Sequence, residues 1–352
     1  MMRQFLRLLV ASSSRNLLFA SASGLLLTGA LATNIQPKRL LQTRTAENDS
    51  PQLEEKASKA NALGVHLRVY QYHNCPFCSK VRAFLNYFGL SYELVEVNPL
   101  SKKQIDFSIY KKVPIVTFDH DGTVQLNDSS VITSFLQSYL LNPQKSFEEL
   151  LNFYPSTVVV EGKTKGRELI CPNKYQIMLP ENAAKVDAEA LHEERKWRQW
   201  VDDSFVHLIS PNVYRNMSEA LEAFKWFSEV SDWREVFPSW ERLMIIYVGA
   251  TAMYFVSKRL QQKHNLKSNV RESLYEGCNQ WLDAIGPNRA FLGGDQPNLA
   301  DIAMYGALAS FEGCSAFRDL LENTPIANWF QVMKEQVENH AGVIRLLQAS
   351  HA

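Results

Sequence analysis

Net charge is the first thing this sequence lacks. Its 37 basic side chains balance its 37 acidic ones, so nothing in the charge points to nucleic acid or to a polyanionic substrate. Cysteine is scarce as well. Five occur in 352 residues, and Cys171, Cys278 and Cys314 stand isolated. That excludes a secreted disulfide framework and fits a reducing compartment. The two clustered cysteines, Cys75 and Cys78, have no second Cys/His pair to complete a zinc site. Ser79 follows Cys78, so the haem-attachment pattern C-x-x-C-H is missing too.

Residues 1–46 lack aspartate and glutamate altogether, while carrying Arg3, Arg7, Arg15, Lys38, Arg39 and Arg44. Between Asn16 and Pro37 there is no charge of either sign. Two readings stay open: a transit peptide, which such an Arg- and Ser-rich start resembles, or a single membrane-spanning anchor, for which the uncharged run is just long enough. Ser21, Ser23, Gly24 and Thr28 weaken the span, and arginines on both flanks leave its orientation unset. Residues 47–64 are polar and aperiodic and read as a linker. The later uncharged run, Leu243–Val256, is fourteen residues long, which suits a core helix better than a membrane span.

What is present centres on Cys75-Pro76-Phe77-Cys78. Residues 65–72 alternate apolar and polar and predict a strand. Val81, Phe84, Leu85 and Phe88 then recur at helical spacing up to Gly89. The C-x-x-C therefore sits where a strand turns into a helix, with Pro76 in the first helical turn. The free N–H groups of that helix start favour a thiolate at Cys75. Cys78 lies one turn further in. Two inert buried cysteines are one reading; a thioredoxin-like thiol site is the reading that this βα context favours. Tyr72, three residues before Cys75, is either a strand aromatic or a phenol in reach of the thiol or a substrate oxygen.

A second strand is expected at Ser91–Val97, parallel to the first through a right-handed crossover. A short helix follows, then a third strand entered at Val113-Pro114, a turn at Asp119–Gly122 and a returning strand at Thr123–Leu126. Asn127-Asp128-Ser129-Ser130 caps a last helix. The span 65–141 thus reads βαβαββα. Residues 142–182 read as a hairpin insertion, and residues 183–352 as helical. Within that helical part Trp197, Trp200, Val201, Phe205 and Leu208 share one face, and Asn298-Leu299-Ala300-Asp301 forms a capping box.

The C-x-x-C at a helix start, the Val113-Pro114 before a strand and the Asp128-Ser129 cap together resemble the glutaredoxin/glutathione-transferase group. The longer blocks CPFCSKVRAFL, KVPIV, QLNDSSVI, KWRQW, HLISPNVYR and PNLAD make the chain, from residue 65 to its end, similar to the type 2 membrane-associated prostaglandin E synthase family. The resemblance implies an α/β thioredoxin-like N-terminal domain followed by an all-α, glutathione-transferase-like C-terminal domain. It implies glutathione held by Val113, Pro114, Asp128, Ser129 and Phe77, although for Asp128-Ser129 a plain helix cap is the competing role. It further implies isomerisation of a lipid endoperoxide, prostaglandin H2, with Cys75 and Tyr72 catalytic and Cys78 in support. Haem bound with glutathione, a homodimer, and a Golgi membrane and cytoplasmic location (mitochondrial as the alternative) complete what it implies. No metal site is expected. A thiol oxidoreductase and a non-catalytic membrane-surface adaptor are the rival functions.

Overall fold

A computed structural model describes residues 66–119, 123–161, 166–180 and 187–343. The N-terminal segment, the linker and most of the Asp119–Gly122 turn lie outside them. The described residues open with β1 (His66–Gln71), α1 (Pro76–Tyr87) and β2 (Tyr92–Glu96). After a single 3₁₀ turn at Lys103–Ile105 come β3 (Ile115–Asp119), β4 (Thr123–Asn127) and α2 (Ser129–Leu141). The strands form one mixed sheet in the order β2-β1-β3-β4. β1 runs parallel to β2, and the β1–β3 and β3–β4 pairs are antiparallel. This is the thioredoxin-like architecture expected from the sequence.

The period of two in β1 serves both faces of the sheet. Leu67 and Val69 enter the large core with Val116 and Phe118. Tyr70 turns the other way, into a small cluster with Ile115, Val97, Ile105 and both clustered cysteines. The ladder ends at Gln71, so Tyr72 lies in the following turn rather than in the strand. The turn closes on itself: the Cys75 N–H donates to the Tyr72 carbonyl at 3.0 Å.

The segment expected to be only a hairpin insertion also holds a helix, α3 (Phe147–Phe153). A Ser146–Glu149 capping box starts it, and it buries Phe147 and Leu150. The Phe147 ring meets those of Phe118 and Phe135 at 5.4 Å each. At seven residues the helix is too short for its periodicity to stand out, which leaves the capping box as its one signal. The hairpin follows as β5 (Thr157–Glu161) and β6 (Gly166–Ile170), an antiparallel pair separate from the main sheet.

The rest is helical. α4 (Ala188–Trp200) runs through a π-turn at Val201–Phe205 into α5 (Val206–Val213), followed by α6 (Met217–Val230) and α7 (Trp233–Val236). α8 (Ser239–Met244), a second π-turn at Ile245–Gly249 and α9 (Ala250–Lys263) form one continuous rod. α10 (Val270–Ile285), α11 (Leu299–Ala309), α12 (Ser315–Asn323) and α13 (Ile326–Glu338) complete the domain. The rod is longer than the fourteen-residue core helix expected. Among the described residues it alone, 25 residues from Ser239 to Lys263, is long and apolar enough to cross a membrane, with half of its most apolar stretch buried. Ile245, Ile246, Met253, Val256 and Leu260 face the core, whereas Trp240, Leu243, Tyr247 and Phe255 are exposed.

α11 is buried along nearly its whole length and crosses α1 at close range. The Asn298–Asp301 capping box sets its start, and the Asp301 carboxylate also accepts from the N–H groups of Leu292 and Gly293 at 2.9 and 3.0 Å. Gly306 is what permits the crossing. A Cβ there would lie 2.5 Å from the Lys80 Cα and 2.8 Å from its nitrogen. Both are backbone atoms that cannot swing aside. Gly306→Ala should therefore destabilise the fold by about 1–3 kcal/mol, the usual cost of overpacking. A thermal melt reads it; an unchanged midpoint would mean the two helices can slide apart.

Candidate active site

The βα turn builds the site. Cys75 is the N-cap of α1, with extended backbone (φ −79°, ψ 121°), and Pro76 is its first helical residue. Pro76 is favoured there because its missing N–H would have had no partner in any case. Arg82, further along α1, reaches back to fasten the turn. Its guanidinium donates to the His73 carbonyl at 2.8 Å and to the Gln71 side chain.

Both sulfurs are buried, Cys75 at 8% exposure and Cys78 fully. Their acidities nevertheless part. The Cys78 thiol hydrogen-bonds to Cys75 and lowers its pKa; burial opposes, and the N–H groups of Cys78 and Phe77 and the Arg82 charge add to the lowering. Cys78 itself is pushed well up by burial first and by its Cys75 partner second. The Cys78 thiol, more than the helix start expected from the sequence, lowers the Cys75 pKa.

Three neighbours of the thiol are also perturbed. Burial raises the Tyr72 phenol far above its ordinary range, with Cys75, Cys78 and Glu96 adding to the effect, so it stays protonated. Burial and then Arg82 lower His73 to about 3, so its ring is neutral. Burial pushes Glu96 up to about 7, against the opposing pull of the His73 N–H and Arg82. The His73 N–H donates to Glu96 Oε1 at 3.0 Å and Gln71 Nε2 to its Oε2 at 3.2 Å. Glu96 is not among the site residues expected from the sequence; its one signal there is an acid at the carboxyl end of a parallel strand, the edge on which such sheets collect ligands.

A cavity, partly open to solvent, lies between this turn and the helical domain. Tyr72, Cys75, Phe77 and Glu96 line one side; Val206, His207, Tyr214, Trp233 and Met253 line the other. The cavity thus gathers Cys75, Tyr72 and Phe77, but not Val113, Pro114, Asp128 or Ser129. Cys78 lies behind Cys75 in the small cluster, with Val113. The Val113–Pro114 bond is cis. Asp128 occupies the left-handed region at φ 72°, uncommon for a residue with a side chain. It caps α2 through Oδ1, which accepts from the N–H groups of Ser130 and Val131 at 2.8 and 3.4 Å. Ser129 is buried in the first turn of that helix.

Among the described residues no group of three or more His, Cys, Asp or Glu side chains is placed to hold a metal ion. For haem, the donor side chains lining the cavity are Cys75, already hydrogen-bonded to Cys78, His207, whose ring stacks on His264 at 4.2 Å, Met253, Tyr72 and Tyr214. Each is a donor type that haem iron accepts, so these are the residues that would hold it.

Residues 69–139 match the family described as glutathione S-transferase, N-terminal domain. The chain is 45% identical over 297 residues to prostaglandin E synthase 2 of Danio rerio, covering 82% of this chain and 76% of that protein. It is 44% identical over 328 residues to prostaglandin E synthase 2 of Mus musculus, covering 92% and 82%. Among solved structures, glutathione transferase F7 from Populus trichocarpa aligns with a TM-score of 0.42 at 14% identity, over 79% of this chain and 98% of that one.

The two-sulfur arrangement makes a pH prediction. The thiolate is the form that alkylates, so the rate at Cys75 should rise with pH through a midpoint below about 8.5, the value of a free cysteine. Cys78→Ala removes the main donor and should move that midpoint upward. Cys78→Ser keeps a donor and should move it less. A midpoint unmoved in Cys78→Ala would return the activation to the helix N–H groups alone.

Proposed function

The chain belongs to the prostaglandin E synthase 2 family, and from that membership we propose that it isomerises prostaglandin H2 to prostaglandin E2 with the help of the Cys75 thiol. The observation that carries this reading is the placement of Cys75. A thiol of lowered pKa opens onto a cavity roofed by apolar side chains of the helical domain. A simple dithiol reductase has no need of such a roof, whereas a fatty substrate does.

The substrate's weak bond is the O–O bridge between C9 and C11. The Cys75 thiolate attacks the oxygen on C9, forming an S–O bond while the O–O pair departs on the C11 oxygen. That oxygen takes a proton from Tyr72, which burial keeps protonated. Loss of the C9 hydrogen as a proton then makes the 9-ketone, and the S–O pair returns to sulfur. Carbon 9 is oxidised by the two electrons that reduce the peroxide, so the sum is an isomerisation. Phe77 shapes the wall beside the thiol.

Glutathione belongs to the same proposal, with its backbone on Val113 before Pro114, Phe77 alongside, and its γ-glutamyl end at the Asp128–Ser129 start of α2. A helix start offers N–H groups to a carboxylate. No step is routed through haem. Membrane attachment through residues 1–46, a homodimer, and a Golgi-membrane and cytoplasmic location complete the reading; all rest on the family resemblance.

Two measurements test it. Asp128→Asn keeps a capping side chain but removes the charge, so glutathione affinity should fall about tenfold by calorimetry with the melt unchanged. Unchanged affinity would leave Asp128 a cap only. Second, Cys75→Ser should abolish isomerisation of the endoperoxide while Cys78→Ser keeps most of it. The Cys75–Cys78 hydrogen bond favours one rival, a dithiol oxidoreductase in which Cys78 resolves a mixed disulfide. That rival requires equal loss in both mutants. Full activity in Cys75→Ser would exclude a thiol mechanism and leave Tyr72 or another group as the catalyst.

A further inference from the structure

The isomerisation needs a base for the C9 hydrogen, and the cavity holds one carboxylate. Glu96 ends β2, paired in register with Gln71 at the end of β1. Because the two strands are parallel, the acid and the thiol turn emerge at the same edge of the sheet. The contact is direct: the His73 N–H, within the Tyr72–Asn74 turn that carries Cys75, donates to Glu96 Oε1 at 3.0 Å. Tyr72, Cys75 and Glu96 line the cavity together. We propose that Glu96 is the general base that removes the C9 hydrogen; this rests on the isomerase reading.

The groups around Glu96 suit that task. Gln71 Nε2 and the His73 N–H hold the carboxylate, the Arg82 guanidinium, bonded to Gln71 and to the His73 carbonyl, favours its charge, and the Tyr72 phenol is its neighbour in the cavity. From the helical domain comes the Trp233 indole. Its buried N–H completes no hydrogen bond of full geometry, yet it favours the charged carboxylate. Burial raises the basicity of Glu96 toward neutrality, where a general base works best. The proton balance closes inside the site. Glu96 takes the C9 hydrogen as a proton, and the C–H pair becomes the second bond of the ketone. The S–O bond breaks and the thiolate is restored. The proton then passes from Glu96 to the Tyr72 phenolate left by the first step, so no outside oxidant or reductant is needed.

The test compares the full chain with Glu96→Gln, Glu96→Asp and His207→Gln on the endoperoxide, with product identified and kcat/KM followed against pH. Glu96→Gln keeps an acceptor for the His73 N–H but no base, and should lose activity about 10²–10⁴-fold. Glu96→Asp should recover part of it. In the unaltered chain kcat/KM should fall as pH drops through about 7, because protonated Glu96 cannot accept the hydrogen. That limb should vanish in Glu96→Gln. Alkylation of Cys75, measured alongside, gives the thiol's own curve and, with the melt, shows that the site is folded. Isomerisation by Glu96→Gln at the full rate would overturn the role of Glu96 and leave the isomerase standing. So would an acid limb that survives there and disappears in His207→Gln. No 9-keto product from the unaltered chain would overturn both.

Discussion

A buried ion pair joins the two parts of this protein. Lys80, on α1 five residues after Cys75, pairs with Asp202 in the π-turn between α4 and α5; their side chains are 3% and 6% exposed. Burial by itself would raise the Asp202 pKa, but the Lys80 charge and the Ser130 hydroxyl outweigh it and hold the group ionised. The same carboxylate accepts from Ser130 at 2.6 Å and from Tyr175 at 3.0 Å. Four segments therefore meet on one acid: the thiol helix, the cap of α2, the connector and the helical domain. Arg198 adds a second tie, donating to Ser134 Oγ at 2.7 Å and to the Ser130 carbonyl at 3.2 Å. A buried pair adds little net stability over well-packed apolar residues, yet removing one partner strands the other at about 3–5 kcal/mol. Its role here is to fix position. It sets where α1, and so Cys75, stands against the wall that completes the cavity.

That rigidity explains how one small site can hold groups of opposite acid–base character. Two carboxylates sit near the thiol helix. Asp202 faces a lysine, which holds its pKa below the ordinary range; Glu96, desolvated at the cavity edge, rises to about 7. Two thiols divide in the same way. Cys78 gives its proton to a hydrogen bond and Cys75 receives it. Environments that drive like groups apart are how a fold assigns a structural charge, a nucleophile and a base from a limited set of side chains.

The π-turns fit the same picture. Each inserts an extra residue into a long helix, a feature often found at functional positions. One presents Asp202 to Lys80; the other places Ile245 on the cavity wall. Neither has a composition that would announce it. An inserted residue shifts the helical phase only locally, and the apolar pattern around it absorbs the change.

The thioredoxin-like order of strands, the C-x-x-C at a helix start and the capping box that opens α11 are all legible in the sequence. Each rests on neighbours in the chain: an alternation of two, a proline in the first turn, a side chain bonding an N–H three residues on. The rest emerges only on folding, because the decisive partners are distant in sequence. Lys80 and Asp202 are 122 residues apart. Gly306 matters only because the Lys80 backbone lies against it. Glu96 reads as one polar residue in a strand until the parallel pairing with β1 and the approach of Trp233 half-bury its carboxylate beside the thiol turn. Local patterns specify local hydrogen bonding. Burial, and with it the acidity of a carboxylate or a thiol, exists only once the whole chain has closed around it.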